Sequence, residues 1–147
     1  DDAFSDSALG DDVVFCSDLK RAVDSANLTW GGEVEIIQDD RLRECNYGDY
    51  TLKSVSKFEN DMGKFVNKPF PNGESYKDVE VRMASFLELL QEKWDGKHVA
   101  IVAHQAPQLA LDVLLKGMTW EEAFNKDWRK TKSWQPGWEY ELKAFHN

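Results

Sequence analysis

The sequence predicts a three-layer α/β/α sandwich with a mostly parallel sheet and an antiparallel edge strand, as one domain spanning residues 1–147. Three observations lead there. Residues 98–104 read His-Val-Ala-Ile-Val-Ala-His, the continuous apolar run expected of a strand buried on both faces. Val13-Val14-Phe15-Cys16 is a second such run, and each is followed within a few residues by a helical pattern. Near the carboxyl end Trp138, Tyr140 and Leu142 alternate with Glu139, Glu141 and Lys143, the period of a half-exposed strand near a sheet edge.

The elements between these anchors follow from local chemistry. Residues 1–12 are small and polar, without periodicity. After the strand at 13–16, Leu19, Ala22, Val23 and Ala26 share a helical face, with Ser17 or Asp18 expected as N-cap. Gly31-Gly32 breaks that helix, and residues 34–38 read as a second strand. A polar segment runs through residues 39–50, and residues 51–66 are weakly helical. Pro69-Phe70-Pro71-Asn72-Gly73 is the strongest turn signal in the chain. Ser75 and Asp78 then have capping-box spacing, and Val79, Met83, Phe86, Leu87, Leu90 and Trp94 keep helical spacing up to Asp95-Gly96. Past the strand at 98–103, Pro107 sits in the first turn of a helix bearing Leu109, Val113 and Leu114, which Gly117 closes. Thr119 and Glu122 predict one more short helix.

Composition narrows the function. The chain has 27 acidic and 18 basic residues, a net charge of −9 that opposes the phosphate-backbone attraction used by nucleic-acid binders. No stretch approaches the ~20 apolar residues of a membrane span, so neither nucleic acid nor membrane is an expected partner. Asp1-Asp2 stands where a signal peptide would be basic, and Cys16 and Cys45 lack metal-site spacing, so reduced thiols in a cytoplasmic setting are expected. The sequence shows no dinucleotide fingerprint, P-loop, Cys/His cluster or nucleophile elbow; no cofactor and no metal are expected.

The candidate functional residues stand at strand-to-helix junctions. His104 closes the apolar run at 98–104, which puts a titratable group at the carboxyl end of a strand, where ligands bind in open α/β sheets. A satisfied core histidine is the competing reading. Arg21 falls in the first turn of the helix after the first strand, beside N–H groups that favour an anion; it also fits a solvated helix position. Imidazole and guanidinium could converge on one anion. Glu44, in a loop after a strand, fits either a general acid or a surface ion pair with Arg41 or Arg43. Trp128, Trp134 and Trp138, with Arg129, Lys130 and Lys132 among them, fit a cap over the core or a substrate mouth. His98 and His146 have no comparable context.

Together these residues resemble the blocks of the histidine phosphatase (phosphoglycerate mutase-like) superfamily. Residues 17–26, Ser-Asp-Leu-Lys-Arg-Ala-Val-Asp-Ser-Ala, are similar to its S-D-L-x-R-A block, and Leu42-Arg43-Glu44-Cys45-Asn46-Tyr47-Gly48-Asp49 to its L-R-E-x-x-F-G block. Pro71-Asn72-Gly73-Glu74-Ser75 with Arg82 resembles its P-x-G-E-S…R block, and Ile101-Val102-Ala103-His104 the strand of its second histidine. The resemblance implies a metal-independent phosphoryl transfer in which a first histidine attacks phosphorus, Arg21 and His104 hold the transferring group, and Glu44 protonates the leaving alkoxide and later activates water. Ser17, Glu74, Arg82 and Gln105 are expected to support these groups. The implied substrate is a small phosphorylated metabolite, and a homodimer is left open.

The sequence departs from the family pattern in two places. It contains no Arg-His-Gly motif, the family's site for the attacking histidine, so the domain is expected to lack its first strand and following helix, with the nucleophile in a segment outside these 147 residues. Phe4-Ser5-Asp6-Ser7-Ala8-Leu9-Gly10 looks like the stretch after that strand. Gln105-Ala106 replaces glycines common after the second histidine. The short span from Glu44 to Pro71 favours a phosphatase over a phosphoglycerate mutase. A non-catalytic relative that binds phosphorylated ligands or protein partners is the reading from another class.

Overall fold

The structure, a computed structural model, describes residues 10–51, 59–127 and 139–142. Its sheet has β1 (Val13–Cys16) between β2 (Ile36–Gln38) and β3 (Val99–Val102), parallel to both. Cys16 stands level with Gln38 on one side and Val102 on the other, so all three strands end at the same edge. Parallel pairing demands crossovers. α1 (Lys20–Trp30) connects β1 to β2, and α2 (Tyr76–Lys93) lies in the connection from β2 to β3. α3 (Gln105–Lys116) and α4 (Trp120–Lys126) follow β3.

The two-residue period of a strand sorts the side chains into two layers. Val14, Cys16, Ala100 and Val102 meet Ala22 and Ala26 of α1 on one face. Val13 and Phe15 meet the larger core on the other, with Met83, Phe86 and Leu87 of α2 and Leu109 of α3. The three-layer α/β/α arrangement is thereby established. Phe15 packs edge-on against Phe86 at 5.2 Å and against Trp94 at 6.2 Å, contacts worth roughly 0.5–1.5 kcal/mol each beyond the area they bury. The capping box expected at Ser75–Asp78 forms, the short helix expected after Thr119 forms with a capping box between Thr119 and Glu122, and Gly117 ends α3 in the left-handed conformation.

Several expectations need correction. The N-cap of α1 is Leu19; the Ser17 hydroxyl instead accepts the Leu19 N–H, and the Asp18 carboxylate is drawn away to Arg43. Leu19 is 39% exposed and contributes little to the apolar face of α1. The run at 98–103 is not covered on both faces. Val99 and Ile101 are half-buried, because no further strand borders β3 among the described residues. A cleft of about 310 Å³ opens there, lined by Leu90, Trp94, Val99, Ile101, Tyr140 and Leu142. Tyr140 and Leu142 keep their alternation with exposed Glu139 and Glu141, but residues 139–142 join no strand ladder; the remainder of the expected edge strand lies outside the described residues. Residues 4–9, the tryptophan-rich stretch 128–138, His146 and positions 52–58 of the weakly helical segment also lie outside them. Within that segment, Glu59–Phe65 forms a 3-10 helix.

Two loops that flank the sheet edge pack backbone against backbone. The Asn46 carbonyl accepts the Glu74 N–H at 2.7 Å, and the Pro71 carbonyl accepts the Asp49 N–H at 2.8 Å. A Cβ at Gly73 would overlap the Asn46 carbonyl oxygen, and one at Gly48, whose φ is +54°, would overlap that of Pro71. Gly73→Ala is expected to destabilise the protein by roughly 2–4 kcal/mol in urea unfolding, whereas Gly63→Ala, with open space around its site, should shift the midpoint little. Equal midpoints for the two variants would show that the loops separate at no cost.

Candidate active site

The carboxyl edge of the sheet gathers groups from three junctions. Beyond the strands proper, Ser17 N–H donates to the Val102 carbonyl at 2.9 Å and Asp39 N–H to the Cys16 carbonyl at 2.9 Å. The chain leaving β1 is thus held beside the chain entering α3. His104 is the N-cap of α3 and is only 1% exposed, while Arg21 stands exposed in the first turn of α1. Their side chains meet, with Arg21 Nη2 at 3.4 Å from His104 Nδ1. A guanidinium can only donate, so Nδ1 is the acceptor in this contact. The imidazole is thus buried, with the Arg21 guanidinium against its Nδ1.

Glu44 joins them from the third junction. Its Oε1 accepts two backbone N–H groups, from Cys45 at 2.8 Å and from Ala106 at 2.9 Å. The second lies in the first turn of α3, two residues past His104. The carboxylate is therefore docked at the positive end of the helix that His104 begins. The surface pairs that competed for Glu44 in the sequence do not form with it. Arg41 closes on Asp39 and Arg43 on Asp18, each through a two-pronged contact.

The supporting residues divide by what they touch. Ser17 is fully buried, its amide in the extended ladder and its hydroxyl on Leu19. Gln105 reaches away from the junction, donating from Nε2 to Asp127 Oδ2 at 2.8 Å, which ties the end of α4 to the start of α3. Glu74 and Arg82 form an ion pair at 3.0 Å beneath the Glu44 loop. Sequence reasoning missed the Ala106 amide, the Asp18–Arg43 pair and Asp127. A backbone amide has no sequence signal, and the other two partners lie 25 and 22 positions away in the chain.

Electrostatics of the loop are set by its own pairs. Arg43 holds the Asp18 carboxyl below the usual carboxylate range. Burial pushes Asp39 upward, but hydrogen bonds and charge from Arg41 outweigh it and hold that carboxyl low as well. Burial, with the Glu74 and Glu44 carboxylates nearby, pushes the Cys45 thiol up, so it stays protonated and is no nucleophile. Among the described residues no group of three or more His, Cys, Asp or Glu could hold a metal ion, and no helix is long and apolar enough to cross a membrane.

The family profile described as histidine phosphatase superfamily (branch 1) matches residues 3–141. The chain belongs to that superfamily. Among curated relatives, it is 31% identical over 124 residues to the Hydrogenobacter thermophilus protein named "Putative phosphoserine phosphatase 2", covering 78% of this chain and 60% of that one. It is 33% identical over 107 residues to the 2,3-bisphosphoglycerate-dependent phosphoglycerate mutase of Rhizobium etli, covering 63% of this chain and 51% of the mutase. The chain thus spans about half to three-fifths of the length of these relatives. Bacillus stearothermophilus YhfR superposes with a TM-score of 0.65 over 95% of this chain and 73% of its own, at 21% identity, a likeness of fold.

The depressed carboxyls give the loop a pH dependence. With folded values below unfolded ones, the Asp18 and Asp39 pairs stabilise fully above about pH 4 and are lost as pH falls through the folded values. Thermal unfolding from about pH 6 to about pH 2.5 should show wild type losing more stability on acidification than Asp39→Asn. Parallel declines would remove the Asp39–Arg41 pair as a source of acid sensitivity.

Proposed function

We propose that the protein is a phosphomonoesterase that works through a phosphohistidine intermediate on a small phosphorylated metabolite in a reducing, cytoplasmic setting. The observation that supports this reading is the convergence of Arg21, His104 and Glu44 at one sheet edge, with two cationic or donor groups beside a docked carboxyl. Phosphoryl transfer asks for placement and for positive charge around three equatorial oxygens. Arg21 presents a guanidinium fork to two of those oxygens, and His104 supplies a further donor at the end of β3.

In the first half-reaction an imidazole nitrogen forms a bond to phosphorus as the bond to the leaving oxygen breaks, and Glu44 passes a proton to that oxygen. In the second, water forms the new phosphorus–oxygen bond as the phosphorus–nitrogen bond breaks, and Glu44 takes the water's proton. The attacking imidazole belongs, in this proposal, to an Arg-His-Gly segment of the natural protein outside these 147 residues. The two N–H groups on Oε1 hold the carboxyl in place for that proton transfer. A phosphoglycerate mutase differs only in the acceptor, a substrate hydroxyl in place of water, and the Rhizobium etli relative supports that second reading.

The test uses the full-length natural protein. Release of phosphate from p-nitrophenyl phosphate should survive chelator, vanish in His104→Ala and fall about 10²-fold in Arg21→Ala, an exposed position whose loss leaves the fold intact. Acid-quenched mixtures should contain an acid-labile phosphohistidine. Normal turnover in both variants would overturn the assignment of the site, and phosphate passed to a phosphoglycerate hydroxyl rather than to water would favour the mutase.

A further inference from the structure

Arg82 rises from α2 toward the turn that bears Glu44, and every one of its donors meets an acceptor. Nε donates to Glu74 Oε2 at 3.0 Å, and Nη2 to Glu74 Oε1 at 3.0 Å. Nη1 donates to the carbonyls of Arg41 at 2.6 Å and Arg43 at 2.8 Å, and Nη2 also to the carbonyl of Glu44 at 3.2 Å. A guanidinium has five N–H donors in a planar fork, so this one is saturated by the protein and has none to offer a phosphate. Glu74 Oε1 takes one bond more, from the Asn46 N–H at 2.8 Å.

These contacts bracket a single side chain. The carbonyls of Arg43 and Glu44 are held from one side and the amide of Asn46 from the other, which fixes the backbone on both flanks of Glu44 and Cys45. Glu44 then reaches from that fixed backbone to the Ala106 amide on α3. A clasp serving stability alone could grip the loop anywhere. This one grips the carbonyl of Glu44 itself.

We infer that Arg82, locked to Glu74, is a positioning residue that sets the backbone from which the Glu44 carboxyl is aligned with the leaving group. The inference rests on the acid role proposed for Glu44. Lysine cannot reproduce the clasp, because its three tetrahedral donors match neither the Glu74 carboxylate fork nor three carbonyls at once.

The test compares two probes in the full-length protein, β-glycerophosphate with its poor alkoxide leaving group and p-nitrophenyl phosphate with a good one. Arg82→Lys should lower kcat on β-glycerophosphate by about 10- to 100-fold and on p-nitrophenyl phosphate by less than about 3-fold, with both KM values little changed. Glu74→Gln should give the same split, and it keeps the test alive if Arg82→Lys does not fold. The Ala106 amide resonance should move in both variants, in the direction it moves in Glu44→Ala. Equal losses on the two probes, or an Ala106 amide that stays in place, would overturn the positioning role. Should Glu44→Gln itself treat both probes alike, the acid role falls, and the inference falls with it. Selectivity in Glu44→Gln without selectivity in Arg82→Lys would sink the inference alone.

Discussion

The constraint on which this molecule depends is the parallel pairing of β1 with both of its neighbours. Because β1, β2 and β3 all run the same way in register, each must be followed by a chain that turns at the same edge. Three turns that are remote in sequence, at Ser17–Leu19, at residues 39–46 and at His104, become neighbours for that reason alone. An antiparallel sheet of the same strands would have placed one of them at the opposite end. The central strand bears most of the demand. All four residues of β1 are buried, with Phe15 clamped between Phe86 and Trp94, so β1 cannot shift without opening both faces of the core.

Given that edge, the charges around it are arranged so that few are left to compete with a ligand. Asp39 takes Arg41, Asp18 takes Arg43 and Glu74 takes Arg82. Each arginine of the 41–43 turn is thus neutralised close by, and so is the one beneath it. Arg21 reaches His104, with Nη2 at 3.4 Å from Nδ1. Aromatic packing behind the loops keeps this arrangement in place. Phe70 stacks on Phe65 at 4.1 Å and meets Tyr47 and Tyr76 edge-on, joining the 46–50 and 70–76 segments to the main core.

Much of the fold was legible because it obeys short-range rules. The apolar quartet at 13–16, the capping box at Ser75, the short helix after Thr119 and the stop at Gly117 are each decided within a few residues, and each appears in the structure. The failures are tertiary. Ser17 and Asp18 have the chemistry of N-caps, but each found a better use: Ser17 is buried in the extended ladder, and Asp18 met an arginine from another loop. The half-burial of Val99 and Ile101 could not be read from an apolar run, since composition does not say what lies beside a strand. For the site, residue types and motif order pointed to Arg21, Glu44 and His104, but not to how they meet. The link between Glu44 and α3 is a backbone amide at Ala106, invisible to any reading of side chains.

That amide bears on how the carboxyl can work. A free glutamate samples many rotamers, and holding one costs up to about 2 kcal/mol of side-chain entropy. Here the cost is met in the resting protein by two N–H bonds to Oε1, on a backbone that Arg82 and Glu74 already hold. The two carboxyl oxygens are thereby made unequal. Oε1 faces the helix and is held there by both bonds. Preorganisation of this kind lowers the reorganisation needed at the moment of proton transfer, which is where a general acid gains most of its rate.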